Sequence, residues 1–378
     1  MCKMLEYFKE MQDYRQSWKV RHSLEDIIVI IICAVVSGAE NISEIGLYGK
    51  CKEEWLKTIL KLPHGIPSTD TIERFMRYMD PKEFKRSFLH WVRNVARVTN
   101  GEIIPIDGKS LRGSKDGVNK AIYMVSAWSR ANGVVLAQEK VAEKSNEITA
   151  IPELLKALEI KGCIVTIDAM GTQKEIAEAI SKKEADYVLA LKKNHKTLYE
   201  NVETFFGNCT NFKDGHRQSF NNFLYDSIID EDEGHGRIET RYYYITNDLS
   251  QIEAAGEWAN LKSIGMTISQ REIKGVKVRQ IRYHLCSIEP DSVKYADAVR
   301  GHWAIENCLH WVLDVVFRED EQRNRKDNSA ENMAIIRHTV LNLMKKDPSV
   351  KLSMKQIRKM LEWNHDYAMA LIFGDFQP

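Results

Sequence analysis

Two aspartates in this 378-residue chain stand where a short apolar stretch gives way to a turn signal. Asp107 follows Ile103-Ile104-Pro105-Ile106 and precedes Gly108-Lys109, and Asp168 follows Cys163-Ile164-Val165-Thr166-Ile167 and precedes Ala169-Met170-Gly171. In α/β sheets ligands bind beyond the strand ends, so a carboxylate there is presented to a site. Either aspartate alone would serve as an ordinary turn starter. Two on neighbouring strands bring like charges together, and a divalent cation with oxygen ligands supplies the counter-charge. A third acid is expected from a helix on the same sheet. Ile305, Leu309, Val312 and Val316 fall at helical spacing and make one apolar stripe. Glu306 lies beside that stripe, and His310 and Asp314 continue along its flank. Asp314 falls about 12 Å further along the helix, too far to share a metal pair with Glu306. The competing reading is a surface helix with ordinary flanking charges. This residue set supports metal-assisted phosphoryl transfer.

The elements that position these acids follow from local pattern. Residues 1–100 read as helical: Ser23 caps a helix through Val36, Ser43–Leu60 and Asp70–Met79 are further helices, and Pro81 opens one to about Val98. Asn100-Gly101 marks a boundary. A strand over 103–106, stopped by Asp107-Gly108, is followed by strands 121–129 and 134–141, joined at Asn132-Gly133. Helix 148–158, strand 163–167, helix 174–183 and strand 187–191 complete a β, β, β, α, β, α, β order, which gives a mixed sheet with helices against it. Residues 196–290 read as a β-rich insertion, with strands at 239–245, 263–268 and 276–283 and a turn-rich stretch at Asp230–Gly236. From Ser292 the chain returns to helix through Val316 and again over Ser329–Met344. The division is therefore 1–100, 101–195, 196–290 and 291–378.

Composition narrows the classes. There are 54 basic and 53 acidic residues, for a net charge of +1, which excludes a histone-like arm or an acidic tail. The first hundred residues lean positive, with 16 basic against 13 acidic. Seven scattered cysteines without a CxxC spacing argue against a disulfide framework and a cysteine zinc site, and for a reducing, cytoplasmic compartment. The apolar run Ile27–Val36 is half of the roughly 20 residues a bilayer span needs, so no membrane association is expected. HExxH, GxSxG and P-loop patterns are absent, which leaves zinc proteolysis, acyl transfer and a nucleotide cofactor without support.

Taken together, IDGKSLRG around Asp107, IDAMGTQ around Asp168 and HWAIENCLHWVLDVVFRED around Glu306 resemble the three acid motifs of the DDE transposases of bacterial insertion sequences, in particular the H-repeat-associated branch. GIPSTDTIERFMRYMDP (Gly65–Pro81) resembles that branch's N-terminal associated domain. DYVLALKKNH (Asp186–His195) resembles the strand before the insertion, and Glu319-Asp320 with Arg323 and Arg325 its C-terminal signature. The resemblance implies an α/β, ribonuclease H-like mixed sheet with flanking helices, a helical N-terminal domain for DNA recognition and a β-rich insertion. It further implies DNA cleavage and strand transfer, with Asp107, Asp168 and Glu306 holding two Mg²⁺ ions (or Mn²⁺), Asp107 between them. Double-stranded DNA is the implied partner, and synapsis of two ends implies a homodimer. One departure stands out. Many relatives carry Tyr-x-x-Arg-x-x-x-Glu-x-x-x-x-x-x-Lys, whereas Val299, His302 and Leu313 occupy those positions here.

Expected DNA contacts are Lys109, Arg112, Lys192, Lys193, Asn194, Lys277, Arg279, Arg300, His302 and His310. Trp303 and Trp311 are expected in the core rather than stacked on bases. A silent DNA-binding descendant and a metal nuclease without strand transfer are the competing functions.

Overall fold

The computed structural model describes residues 3–117, 120–141, 147–209, 226–234, 237–273, 275–345 and 350–374. The helical N-terminal part contains α1 (Lys3–Lys9), α2 (Leu24–Val36), α3 (Ile42–Cys51), α4 (Glu53–Leu56), α5 (Thr69–Tyr78) and α6 (Pro81–Val95). Ser23 caps α2 as its sequence predicts, its hydroxyl accepting from the Asp26 amide. Being apolar all round, α2 is buried along almost its whole length. The single helix expected over Ser43–Leu60 is instead divided into α3 and α4 at Lys52.

Then follow β1 (Ile103–Leu111), β2 (Ile122–Ser129), β3 (Val134–Lys140), α7 (Glu147–Ala157), β4 (Ile164–Ile167), α8 (Lys174–Lys182), β5 (Asp186–Leu191) and α9 (Lys196–Cys209). Further on are β6 (Asp226–Gly234), β7 (Arg237–Thr246), β8 (Ser263–Ile273), β9 (Val276–Cys286) and α10 (Ser292–Ile305). A π-helical turn over Glu306–His310 leads into α11 (Trp311–Val315), and α12 (Ser329–Met344), α13 (Met354–Trp363) and α14 (His365–Phe373) end the described chain.

Among the described residues the strands form one sheet of order β3-β2-β1-β4-β5-β9-β8-β7-β6. β2 and β3 are antiparallel, β1, β4 and β5 are parallel, and β9 to β6 continue antiparallel from β5. This is the ribonuclease H-like mixed sheet with flanking helices that the sequence led us to expect. Three local expectations fail. β1 does not stop at Asp107 but runs through Gly108 to Leu111. Residues 230–234 of the supposed turn-rich stretch belong to strand β6, while 235–236 lie outside the described residues. The β-rich segment opens with helix α9 rather than a strand.

By backbone contacts the chain forms two compact units, Met1–Arg97 with Gly108–Ser145 and Glu306–Pro378, and Val98–Asp107 with Asn146–Ile305. In the first, α12 is buried from end to end. Its Asn342 both accepts from the Val135 amide and donates to the Val135 carbonyl, at 2.8 and 2.9 Å. In the second, α10 is seated on the sheet through Tyr295, whose hydroxyl bonds His284 Nδ1 at 2.7 Å and Thr267 Oγ1 at 3.0 Å. Gly265 makes room for that ring, since a Cβ there would stand 2.4 Å from it. Gly265→Ala is therefore expected to overpack the seat of α10 and to destabilise the protein by about 1–3 kcal/mol, read as a lower denaturation midpoint in urea.

Candidate active site

β1 and β4 pair in parallel with Ile106 opposite Ile167, so Asp107 and Asp168 are the next residues on adjacent strands. The Asp168 carboxylate is oriented by its own turn, with Oδ1 accepting from the amides of Met170 (3.1 Å) and Gly171 (3.2 Å). Oδ2 has no hydrogen bond or ion pair among the described residues. The turn closes tightly enough that a Cβ on Gly171 would stand 2.4 Å from Ile167. It is also tied to β5 and the segment beyond. The Thr172 hydroxyl donates to the Ala190 carbonyl (2.7 Å), Asn194 Nδ2 to the Ala169 carbonyl (2.7 Å) and His195 Nε2 to the Thr172 carbonyl (2.6 Å). Asn194, expected at DNA, thus has its amide engaged in holding the Asp168 turn. Neighbouring Lys192 and Lys193 are exposed.

His302 also proves to be an anchor. Its Nδ1 lies 3.0 Å from the Thr166 hydroxyl, two residues before Asp168. Burial pushes the imidazole down to about 4, against the pull of the Asp168 charge, so the ring is neutral at pH 7 and offers phosphate no cation. Arg300, four-tenths exposed, reaches Asp230 Oδ2 at 2.6 Å, so part of its charge is already matched. Trp303 is not in the core. It is 38% exposed, with the Arg282 guanidinium 4.9 Å from its ring centre.

Glu306 follows α10 directly and opens the π-helical turn, an insertion that frequently marks functional positions. The predicted stripe holds, with Ile305, Leu309, Val312 and Val316 all buried and Glu306 exposed. Trp311, also expected in the core, is 57% exposed. His310 is half-buried. Among the described residues no set of three or more His, Cys, Asp or Glu side chains stands ready to hold a metal ion. The donor chemistry of the two aspartates nevertheless suits a hard cation, with carboxylate oxygens on adjacent strands and one Asp168 oxygen unclaimed.

Lys109 differs most from expectation. Its side chain is 10% exposed, and its ammonium lies 2.7 Å from Asp314, 3.2 Å from Glu319 and 3.2 Å from Asp320. Glu319 is buried and also meets Arg337, at 3.3 Å. Burial by itself would raise the Glu319 carboxyl, but the Arg337 and Lys109 charges hold it below the usual range. Lys109 thus fastens the outgoing half of β1 to the segment that follows the Glu306 turn. Backbone contacts reinforce this clamp. Arg325 Nε donates to the Gly113 carbonyl at 3.1 Å, and a Cβ on Gly113 would stand 1.9 Å from the Gln322 carbonyl oxygen. Of the remaining expected contacts, Arg112 is exposed and 3.4 Å from Asp320, Lys277 is exposed and 3.6 Å from Glu272, and Arg279 is exposed.

Residues 5–92 match the family model described as DDE_Tnp_1-associated, and residues 99–343 match the one described as Transposase DDE domain. "Putative transposase YncI" of Escherichia coli O157:H7 is 42% identical over 96% of this chain and 93% of its own length. "H repeat-associated putative transposase YhhI" of Escherichia coli (strain K12) is 37% identical over 98% of each chain. "H repeat-associated putative transposase YbfD" of the same strain is 40% identical over 64% of this chain and 93% of its own. No helix among the described residues is long and apolar enough to cross a membrane.

Lys109→Met removes the cation shared by Asp314, Glu319 and Asp320, leaving buried Glu319 with Arg337 alone, and is expected to cost about 3–5 kcal/mol, measured by urea denaturation. The acid limb of stability gives a second check. Because the Glu319 carboxyl is held low, its contribution is present above the ordinary carboxylate range and lost as pH falls through it. Glu319→Gln should flatten that limb, and an unchanged pH profile would contradict the network described.

Proposed function

Since the chain belongs to the family of DDE-domain transposases, we propose that it cuts DNA at the ends of an insertion element and joins those ends to target DNA, with Asp107, Asp168 and Glu306 as its catalytic carboxylates. The observation that carries this reading is the parallel register of Ile106 with Ile167, which sets Asp107 within β1 beside the end of β4 that Asp168 follows.

In this proposal Asp107, Asp168 and Glu306 hold two divalent ions, Mg²⁺ or Mn²⁺, which supply charge neutralisation and an activated water when bound. The turn amides of Met170 and Gly171 fix the direction of the Asp168 carboxylate. The bond from His302 to Thr166 holds the end of α10, four residues before Glu306. Phosphate contacts come from the exposed cations Arg112, Lys192, Lys193, Lys277 and Arg279, with Arg300 and His310 at the flanks of the Glu306 helix. Lys109 is left out of that set because its ammonium is buried among three carboxylates. Holding two element ends at once assigns the reaction to a homodimer on DNA.

The purified protein, given Mg²⁺ and a duplex bearing the element's ends, is expected to nick and then join strands. Asp107→Asn, Asp168→Asn and Glu306→Gln should each reduce both steps to background while leaving DNA binding intact. Binding without cleavage by the unaltered protein would identify a silent descendant, and nicking without joining a nuclease. Any one of the three substitutions retaining full activity removes that residue from the site.

A further inference from the structure

We propose that the segment Met11–Ser23, together with Lys61 and Arg74, forms a docking surface for duplex DNA. This extends the proposed function, from which it takes only that DNA is the substrate.

The segment between α1 and α2 is short of regular structure yet firmly placed. The Tyr14 hydroxyl donates to the Arg74 carbonyl of α5 at 3.4 Å. Arg15 forks onto Asp13 at 2.8 and 2.7 Å and lies 5.8 Å from the centre of the Phe75 ring, so its charge serves the fold. At the far end the His22 and His64 rings meet edge to face, 6.3 Å apart, so the loop that carries His64, three residues after Lys61, adjoins the strap.

The strap presents an indole and several cations outward. Trp18 is 77% exposed, in a single 3-10 turn, with the Lys19 ammonium 4.5 Å from its ring centre. Arg21, Lys61 and Arg74 are exposed nearby. Many exposed cations elsewhere are matched, as with Lys57 to Glu53 and Glu54, Arg77 to Asp327 and Arg86 to Glu83. Among the described residues Lys19, Arg21 and Lys61 have no carboxylate within ion-pair distance. Unmatched cations around one exposed indole suit a polyanion that also offers flat apolar faces. Phosphates take the cations, and Trp18 packs on sugar and base.

Fluorescence anisotropy on the full chain with a labelled duplex bearing an element end, across a salt series, tests this. The triple variant Lys19→Gln, Arg21→Gln, Lys61→Gln is expected to bind more weakly and to shallow the log–log salt slope by about 2–3, one phosphate contact per residue. Trp18→Ala is expected to weaken binding about tenfold with the slope unchanged. Because these side chains are exposed, the thermal midpoints should stay near that of the unaltered protein. A triple variant that binds with the unaltered affinity and slope overturns the proposal. Asp107→Asn should retain the full slope. If the unaltered protein binds as described but neither nicks nor joins, the proposed reaction falls while this surface stands.

Discussion

The molecule is organised around an electrostatic constraint, two carboxylates delivered side by side by parallel strands. Register fixes it. With Ile106 opposite Ile167, neither Asp107 nor Asp168 can retreat without unpairing β1 from β4. Like charges in that arrangement repel, and each is stabilised only if its surroundings supply donors or a cation. The protein supplies donors to one oxygen of Asp168 through two turn amides. Much of the nearby sequence then serves to keep that turn still. Gly171 admits its curvature, Thr172 ties it to β5, and Asn194 and His195 brace it from the next loop. The Asp168 carboxylate is thus held in one direction by its own turn.

Positive charge is divided between two tasks. Lys109 and Arg337 are buried, where they offset the acids Asp314, Glu319 and Asp320. Removing either partner of such a pair strands a charge in low dielectric, so these residues act as fasteners rather than as DNA contacts. Lys19, Arg21 and Lys61, by contrast, are exposed. Burial, and not residue type, separates the two groups.

Much of this was legible in the sequence. The strand–aspartate–turn pattern marked Asp107 and Asp168, and the apolar stripe put Glu306 on the exposed flank of its helix. What could not be read was set by distant partners. Lys109 looks like a phosphate contact because Asp320, one of its counter-charges, lies 211 residues away. Asp107-Gly108 read as the end of a strand, yet β1, between two neighbouring strands, continues past them. The run Asp226–Gly234 is rich in acids, which are disfavoured in central strands; at the sheet edge those charges discourage pairing with another chain, and the strand persists. Nothing local announces the π-turn at Glu306, because an extra residue in a helix leaves no distinctive composition.

The departure from the tyrosine–arginine–lysine pattern of many relatives has a structural meaning. Val299 and Leu313 are buried apolar residues, and His302 is held neutral against Thr166. A tyrosine or a lysine at those two core positions would have to carry a polar tip into packed side chains, at a cost that hydrogen bonding to water cannot offset. The fold around the Glu306 helix is thus built to exclude the charges those relatives place there. It follows that Val299, His302 and Leu313 bring no cation to Glu306.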